Sequence, residues 1–250
     1  MESGKLRTAG APKVLIIEGE IGAGKTILTR AIVDRICGQG AVACAILEPV
    51  DLWKDTGALQ AFYADPKRQA YSFQTFAFAT RIRAIADAFA GNPEAEYFVL
   101  ERSPATDALF WHLQSDVVSD LEKVMYDAWR DCFLQMLPFD LEEARVLYIE
   151  PSLEACMNRL TARARDGEVI KKAESGGVSI DYQRRLRSAH RASLFGEDSE
   201  ESGAPASPFR KGNIARLPPE FADKDFRAGS PDSREVVDEA LRLLNVSICV

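Results

Sequence analysis

A glycine-rich octapeptide, GEIGAGKT at residues 19–26, constrains the fold of this chain more than any other feature. It follows the apolar run VLIIE and precedes residues with helical spacing, so it lies between a predicted strand and a predicted helix. Gly19, Gly24, Lys25 and Thr26 complete the pattern GxxxxGK[ST], whose backbone N–H groups surround a phosphate at the start of the helix. The sequence therefore predicts a phosphate-binding loop at the end of a buried strand.

Short apolar runs alternate with segments of helical periodicity along most of the chain. The runs lack period-two alternation, as expected for strands covered by helices on both faces. This order predicts an α/β fold, a P-loop NTPase-type doubly wound five-stranded parallel sheet flanked by helices. The predicted strands are Val14–Glu18, Val42–Leu47, Tyr97–Leu100, Arg145–Ile149 and Asn213–Leu217. The predicted helices are Ile27–Cys37, Lys67–Ala90, Ser115–Gln135, Leu153–Arg163, Ile180–Leu194 and Arg234–Leu244.

Length, charge and cysteine content limit the classes of function. With 250 residues and 46% hydrophobic content, the chain is predicted to form one domain over 1–250, with its core at about 13–195 and 213–245. A net charge of -7 argues against a nucleic-acid partner, because a protein that binds nucleic acid needs a basic surface. No apolar stretch approaches the roughly 20 residues of a membrane span. Five scattered cysteines without a CxxC pair favour a reducing compartment, so we expect a cytoplasmic protein, with a mitochondrial location as the alternative.

Residues 196–233 interrupt the alternation of strands and helices. The stretch opens with GEDSEESGAPASP and is rich in Gly, Pro, Ser and acidic residues. Such a composition buries too little apolar surface to offset the entropy of ordering it. We therefore expect a partly disordered surface insertion here, with a flexible stretch at 196–212.

The octapeptide also predicts how a nucleotide is held. We expect its N–H groups to bind the β-phosphate of ATP or another nucleoside triphosphate, while Lys25 reaches toward the γ-phosphate and the Thr26 hydroxyl binds Mg²⁺. Lys25 is expected to face solvent. The predicted ATP-binding residues of the loop are Gly19, Glu20, Ile21, Gly22, Ala23, Gly24, Lys25 and Thr26.

Three further places carry information about the acceptor. Glu48 follows the second predicted strand, and Glu101 and Arg102 follow the third, so all three reach the edge of the sheet where such folds bind ligands. Gln74 and Arg81 share one face of a predicted helix, roughly 10 Å apart along its axis. Aromatic residues surround them in the sequence, which favours a pocket for a flat, hydrogen-bonding ring.

Several stretches together resemble the deoxyribonucleoside kinase family, above all its branch of deoxycytidine, deoxyguanosine and deoxyadenosine kinases. They are GEIGAGKT, EPVDLW, YADPKRQAYSFQTFAFATRIRAI, ERSPATD and CMNRLTARARDGE, and the resemblance covers about Val14 to His190. It implies ATP-dependent phosphorylation of a deoxyribonucleoside 5′-hydroxyl, for nucleotide salvage, with Mg²⁺. It also implies a homodimer formed through helices, for which the segment from Ser115 to Gln135 is the candidate interface.

The resemblance also implies roles for individual residues. Glu48 matches the base that takes the proton of the 5′-hydroxyl, Arg102 the arginine beside that hydroxyl, and Glu101 the carboxylate that organises Mg²⁺. The expected catalytic residues are Glu48, Arg102 and Lys25. The arginine-rich lid over the triphosphate corresponds to Arg159, Arg163 and Arg165. The expected substrate-binding residues are Glu48, Val50, Trp53, Phe62, Tyr63, Gln74, Ala77, Phe78, Arg81, Arg102, Asp107, Trp111 and Glu168.

The aromatic residues and the acid–base pair of this set concern the base of the nucleoside. Trp53, Phe78 and Trp111 are expected to enclose the ring, with plain core packing as the alternative. Arg81 and Asp107 stand where thymidine-accepting members of the family carry apolar residues. The resemblance therefore implies a preference for deoxycytidine or a purine deoxynucleoside over thymidine.

Two other functions fit parts of the sequence. A nucleoside monophosphate kinase would share the fold, but its acceptor is already a phosphate and needs no general base such as Glu48. A non-catalytic structural subunit would also keep the fold, as in a mitochondrial respiratory complex. The combination of Lys25, Glu48 and Arg102 argues against that reading, because a structural subunit has no use for it.

Overall fold

The computed structural model describes residues 11–163, 178–197 and 202–246. The strands are β1 Lys13–Gly19, β2 Ala43–Ile46, β3 Tyr97–Glu101, β4 Arg145–Ile149 and β5 Ile214–Arg216. The helices are α1 Lys25–Cys37, α2 Val50–Asp55, α3 Ala58–Ala64, α4 Pro66–Gly91, α5 Asp107–His112, α6 Asp120–Gln135, α7 Leu153–Arg163, α8 Ile180–Phe195, α9 Pro219–Ala222 and α10 Ser233–Leu243. Within these described ranges, no helix is both long and apolar enough to cross a membrane.

The strands form one parallel sheet in the order β2-β3-β1-β4-β5. In its middle, β1 pairs with β3 on one side and with β4 on the other, so that Ile17 lies between Glu101 and Leu147. Because all pairings are parallel, the carboxyl ends of the strands share one edge of the sheet. The predicted five-stranded α/β fold is confirmed.

The sheet is buried on both faces, which explains the uninterrupted apolar runs of its strands. Leu15 and Ile17 of β1 pack into a core with α1 and α10, through residues such as Leu28 and Leu241. Val14 and Ile16, whose side chains point the opposite way, pack into a second core that includes Ile85 of α4. Two helical layers around one sheet fix the carboxyl edge as a rigid platform.

The predicted elements differ from the observed ones mainly at their ends. Helix α6 begins at Asp120 instead of Ser115, because Ser119 caps it: the Ser119 hydroxyl accepts from the Glu122 N–H, and the Glu122 carboxylate accepts from the Ser119 N–H. The short helices α2, α3, α5 and α9 were not predicted, since one or two turns carry too little periodicity to be recognised.

The described part of the predicted, partly disordered insertion over 196–233 has more regular structure and more anchoring contacts than its composition indicates. That part contains the predicted strand β5 and also α9, and Phe209 and Phe226 are 4% and 3% exposed. Phe209 belongs to the same core as Ile85, and the His112 imidazole lies 2.7 Å from the Ser202 carbonyl oxygen. The apolar residues are few, but they are placed to anchor the chain, and an average over composition misses that. Residues 198–201 of the predicted flexible stretch lie outside the described residues.

Candidate active site

One cleft opens at the carboxyl edge of the sheet and has a volume of about 470 Å³. It begins at the loop after β1, passes the ends of β2 and β3, and continues between α4 and α5. Sixteen of the predicted site residues line it: Ile21, Gly22, Lys25, Thr26, Glu48, Val50, Trp53, Phe62, Tyr63, Gln74, Ala77, Arg81, Glu101, Arg102, Asp107 and Arg163.

The loop after β1 has the backbone of an anion-binding turn. Gly22 and Gly24 have φ angles of 83° and 99°, in the left-handed region that favours glycine. A Cβ atom on Gly22 would lie 2.6 Å from the Cys156 carbonyl oxygen, and one on Gly24 would lie 2.9 Å from the Phe226 ring. Helix α1 begins at Lys25, so the positive end of its dipole faces the loop.

Lys25 is buried, contrary to the expectation that it faces solvent. Its side chain is 4% exposed, and its Nζ donates to the carbonyl oxygens of Gly19 and Glu20 at 3.3 and 2.9 Å. Burial, and then the positive charge of Arg102, lower the pKa of Lys25 to about 8. The lysine is thus held inside the loop and poorly solvated, so that an incoming phosphate would restore a favourable partner for its charge.

Thr26 and Glu101 meet at the phosphate end of the cleft. The Thr26 Oγ1 donates to Glu101 Oε1 at 2.7 Å. Burial, and then the negative charge of Glu48, raise the pKa of Glu101. A hydroxyl and a carboxylate oxygen at this distance can both reach one hard cation.

Glu48 lies in the middle of the cleft between two arginines. Its Oε1 accepts from Arg81 at 2.6 Å and lies 3.3 Å from Arg102 Nε. Burial alone would raise the pKa of Glu48, but the charges of Arg102, then of Arg81 and Lys25, lower it to about 2. Arg102 has a φ angle of 64°, an unusual backbone for a residue with a side chain, and its N–H donates to the Ile17 carbonyl. Glu48 is therefore ionised at neutral pH, and its carboxylate carries no proton.

The far end of the cleft is a buried polar site. Arg81 pairs with Asp107 as well as with Glu48, so one guanidinium connects the two carboxylates. Gln74 Nε2 lies 3.3 Å from the Asp107 carbonyl oxygen and 3.5 Å from its carboxylate. Gln114 in turn donates to Gln74 Oε1 at 3.4 Å. Burial raises the pKa of Asp107, although Arg81 opposes this.

The aromatic walls of the cleft are only partly those predicted. Trp53 lines it and donates from Nε1 to Thr80 at 2.9 Å, and Phe73 and Phe110 line it as well. The placement of Phe78 and Trp111 around the ring is wrong for this structure. Phe78 packs against Trp129, Trp111 stacks on Tyr126 with ring centroids 4.2 Å apart, and neither lines the cleft. Both are core residues.

The predicted lid arginines separate into different roles. Arg163 lines the cleft. Arg159 instead donates to the carbonyl oxygens of Ala23, Asp223 and Lys224, at 3.0 to 3.2 Å, and so joins α7 to the loop. Arg159 does not line the cleft, and its contact with a triphosphate stays a prediction. Arg165 and Glu168 lie outside the described residues.

Several cleft residues escaped prediction. Phe73 precedes Gln74 on α4, and Phe110 lies one turn after Asp107, so spacing from a predicted residue is a signal that points to both. Gln114 and Tyr182 had no such signal, because loop and α8 residues reach the cleft only through the tertiary fold.

A phosphate-binding loop beside an ionised carboxylate and an arginine defines the class of protein as a P-loop phosphotransferase. The family model for deoxynucleoside kinases matches residues 15–225, which extends beyond the resemblance seen in the motifs. The chain belongs to the deoxynucleoside kinase family, and it is an enzyme that phosphorylates nucleosides, with a nucleotide and a deoxynucleoside as its substrates.

Curated relatives cover most of the chain. A probable deoxycytidine kinase of fowlpox virus is 30% identical over 196 residues, or 77% of this chain and 76% of its own length. Deoxycytidine kinase of Bos taurus is 29% identical over 207 residues, covering 73% and 75%. Thymidine kinase of Ictalurid herpesvirus 1 is 27% identical over 191 residues, covering 75% and 77%. Because these relatives are named for two nucleosides, the preferred base has to be argued from the cleft.

Proposed function

We propose that this enzyme transfers the γ-phosphate of ATP to the 5′-hydroxyl of deoxycytidine or a purine deoxynucleoside, and that thymidine is a poor substrate. The observation that carries this proposal is the buried pair of Arg81 and Asp107, with Gln74 beside it. These groups offer donors and acceptors to an exocyclic amine or a purine edge.

Thymidine fits the same groups badly. Its 5-methyl group would approach the Arg81 guanidinium, and its carbonyl would face the Asp107 carboxylate. Both side chains are almost fully buried, at 5% and 2% exposure, so water cannot compensate a mismatch. A polar site rejects a wrong partner strongly because its buried groups then lose hydrogen bonds.

Glu48 supplies the base in this proposal. Its low pKa keeps it ionised, and its position between Lys25 and Arg81 puts it midway along the cleft. A 5′-hydroxyl there would donate to Glu48 while its oxygen faces the phosphate end. Arg102, 3.3 Å from Glu48, would then steady the attacking oxygen.

The residues at the phosphate end fit a bound Mg²⁺. Thr26 and Glu101 present oxygen ligands, the kind that Mg²⁺ prefers, and they already lie in contact. No cluster of three or more His, Cys, Asp or Glu that could hold a metal is found in the part of the chain that the structure describes. The remaining ligands would thus be phosphate and water oxygens, and the bound ion would neutralise charge on the phosphates.

A steady-state assay with ATP and a panel of deoxynucleosides tests the proposal. We expect kcat/KM for deoxycytidine, deoxyadenosine or deoxyguanosine to exceed that for thymidine by about tenfold or more. Deoxynucleoside monophosphates as acceptors are the control, and turnover of them would favour a monophosphate kinase instead. The highest kcat/KM on thymidine would contradict the base preference and leave the family assignment intact.

We also propose that the enzyme is a homodimer that pairs through α6. The outer face of this helix carries an apolar stripe at helical spacing, in which Leu121 and Val124 are 69% and 66% exposed and Met125 is 45% exposed. Its inner face is already occupied, because Tyr126 is fully buried. A two-fold axis along such a stripe would bury it against its own copy.

Light scattering after gel filtration tests the dimer. Val124→Glu should convert it to a monomer, since a charge at the centre of an apolar interface has no partner. Val42→Glu, at another exposed valine outside α6, is the matched control and should keep the dimer. A monomeric unmodified protein would contradict the proposal.

A further inference from the structure

The phosphate-binding loop contains a carboxylate that does not face the cleft. Glu20 is the second residue of the loop, and its side chain is fully buried. The side chain points toward β4 and α8, away from the position predicted for a phosphate. Its Oε1 accepts from the Tyr148 hydroxyl at 2.6 Å and from Arg187 Nε at 2.8 Å. A negative charge in a loop that binds anions needs a reason and a partner.

The backbone of the same residue holds the loop lysine. The Glu20 carbonyl oxygen accepts from Lys25 Nζ at 2.9 Å and from the Ala23 N–H at 3.2 Å. The Glu20 side chain is thus anchored outside the cleft, by Tyr148 and Arg187. The Glu20 carbonyl oxygen, on the cleft side, sets the position of Lys25. A displacement of the side chain would move the carbonyl that positions Lys25.

Helix α8 supplies the anchor at two points. Arg187 reaches Glu20 and also donates to the Pro151 carbonyl oxygen, while Gln183, one turn earlier, donates to the Ile21 carbonyl at 2.5 Å. The Arg187 side chain is 17% exposed, so its charge faces Glu20 with little screening by water. Two consecutive loop residues are therefore held by one helix face.

We propose that Arg187 is a positioning residue of the phosphate-donor site, which neutralises Glu20 and thereby fixes the loop carbonyl that holds Lys25. The physical reason is that Glu20 and a bound triphosphate are both negatively charged, and Arg187 is positively charged. A buried Glu20 without its arginine would repel a triphosphate and would keep only the neutral Tyr148 hydroxyl as a side-chain donor, so the loop would shift to expose the unpaired charge. With Arg187 in place, the pair adds no net charge to the phosphate site. This inference rests on the proposed use of ATP.

A double-mutant cycle on nucleotide binding tests this role. The four proteins are the unmodified enzyme, Arg187→Met, Glu20→Gln and the double variant, and the measurement is the Kd for ADP by calorimetry, without nucleoside. We expect Arg187→Met to weaken ADP binding about tenfold in the unmodified background. In the Glu20→Gln background, where no charge is left unpaired, the same change should have an effect within about twofold.

Two further measurements separate positioning from general damage. Arg191→Met removes the arginine one turn along α8 that pairs with Glu150 and does not touch the loop. Because Glu150 also lies 3.7 Å from Arg187 Nε, this control should change the Kd for ADP much less than Arg187→Met does. The KM for the nucleoside should stay within about twofold in Arg187→Met, since the base end of the cleft is not involved. If Arg187→Met does not fold, Arg187→Lys replaces it, and the expected loss is smaller but again depends on Glu20.

The outcomes decide the inference. An effect of Arg187→Met that is absent, or equally large with Gln at position 20, would overturn it, because the arginine would then not act through the Glu20 charge. An unmodified enzyme that binds neither ADP nor ATP would reject the proposed donor and this inference with it. An unmodified enzyme that binds ADP, together with an unaffected Arg187→Met, would reject this inference alone.

Discussion

The two ends of the cleft are built in different ways. At the phosphate end, one contiguous octapeptide supplies the loop, the lysine and the hydroxyl, and the loop offers backbone N–H groups at the start of α1. At the base end, Gln74 and Arg81 of α4 and Asp107 of α5 meet through side chains alone. The first end is a local structure, which we propose accepts the triphosphate. The second is a tertiary assembly, and under the proposed function the choice of nucleoside is made there.

Glu48 joins the two ends electrostatically. It is paired with Arg81 of the base end, and it contributes to the charge balance of Lys25 at the phosphate end. Because Arg81 touches both Glu48 and Asp107, a change in how the base is held would also reach Glu48, the proposed general base. We therefore expect substitutions at the base end to change turnover as well as nucleoside binding, and the size of the change in kcat measures this coupling.

Removal of the loop lysine should have the largest effect. Lys25→Met keeps the buried aliphatic stem and deletes the charge, so we expect kcat/KM for ATP to fall by about 10³-fold or more. Because the side chain is 4% exposed, a smaller change such as Met is preferable to Ala. Thermal unfolding and nucleoside binding serve as controls and should change little. A variant that retains most of its turnover would contradict the phosphate-loop assignment.

Glu48→Gln should come next and act on chemistry more than on binding. The amide oxygen can still accept from Arg81, but it cannot take a proton, so kcat should fall by about 10² to 10⁴-fold. The KM for the nucleoside should change far less, as steady-state kinetics would show. If KM rises sharply and kcat is normal, Glu48 is a ligand contact and not the base.

The sequence predicts the phosphate end much better than the base end, for a physical reason. GEIGAGKT is contiguous, and its backbone conformation follows from its own glycines, so the pattern alone indicates the geometry. The strands were predicted within one or two residues because each is a short run rich in apolar residues, and β1, β3 and β4 are buried on both faces. Phe73 and Phe78 show the limit: both lie on α4 near Gln74, and only the packing of α6 against that helix determines which one is core.

The arginines show the same limit more sharply. Arg159 and Arg163 share one helix, four residues apart, yet one is bound to backbone carbonyls and the other lines the cleft. Two of the three carbonyls belong to Asp223 and Lys224, which the composition places in the predicted insertion. Spacing cannot reveal a partner that lies 64 residues away in the chain.

At the base end, substitutions should change specificity and stability together. Arg81→Met leaves Asp107 buried without its cation, which we expect to lower the free energy of unfolding by about 3 to 5 kcal/mol. Adding Asp107→Ala should recover part of that loss, since no buried charge then remains unpaired. The double variant should also raise thymidine kcat/KM relative to deoxycytidine by about 10- to 100-fold.

Two assays check this prediction. Denaturant unfolding of the single and double variants measures the coupling, and a nucleoside panel measures the preference. A double variant less stable than the sum of its parts would contradict the pairing seen in the structure. An unchanged preference would mean that Arg81 and Asp107 serve the position of Glu48 and do not read the base.

The smallest expected effect is a dependence of donor use on pH at the phosphate end. The pKa of Lys25 is lowered to about 8 in the free enzyme, so the charge that attracts phosphate is lost as pH rises through that value. Since kcat/KM reports the free enzyme, kcat/KM for ATP should fall about tenfold between pH 7 and pH 9. The value of kcat should be flatter, because a bound phosphate keeps the lysine protonated.

The sign of this effect separates it from the other titrations of the cleft. Glu48, with a pKa of about 2, is already ionised throughout this range and contributes no change. Lys25→Arg carries a charge that does not titrate below about pH 12, so the alkaline fall should disappear in whatever activity it retains. An unmodified enzyme with constant kcat/KM for ATP up to pH 10 would show that the lysine is better solvated, or better paired, than its burial indicates. The phosphate end would then contain no charge destabilised by burial, whereas the base end contains the buried charges of Arg81 and Asp107.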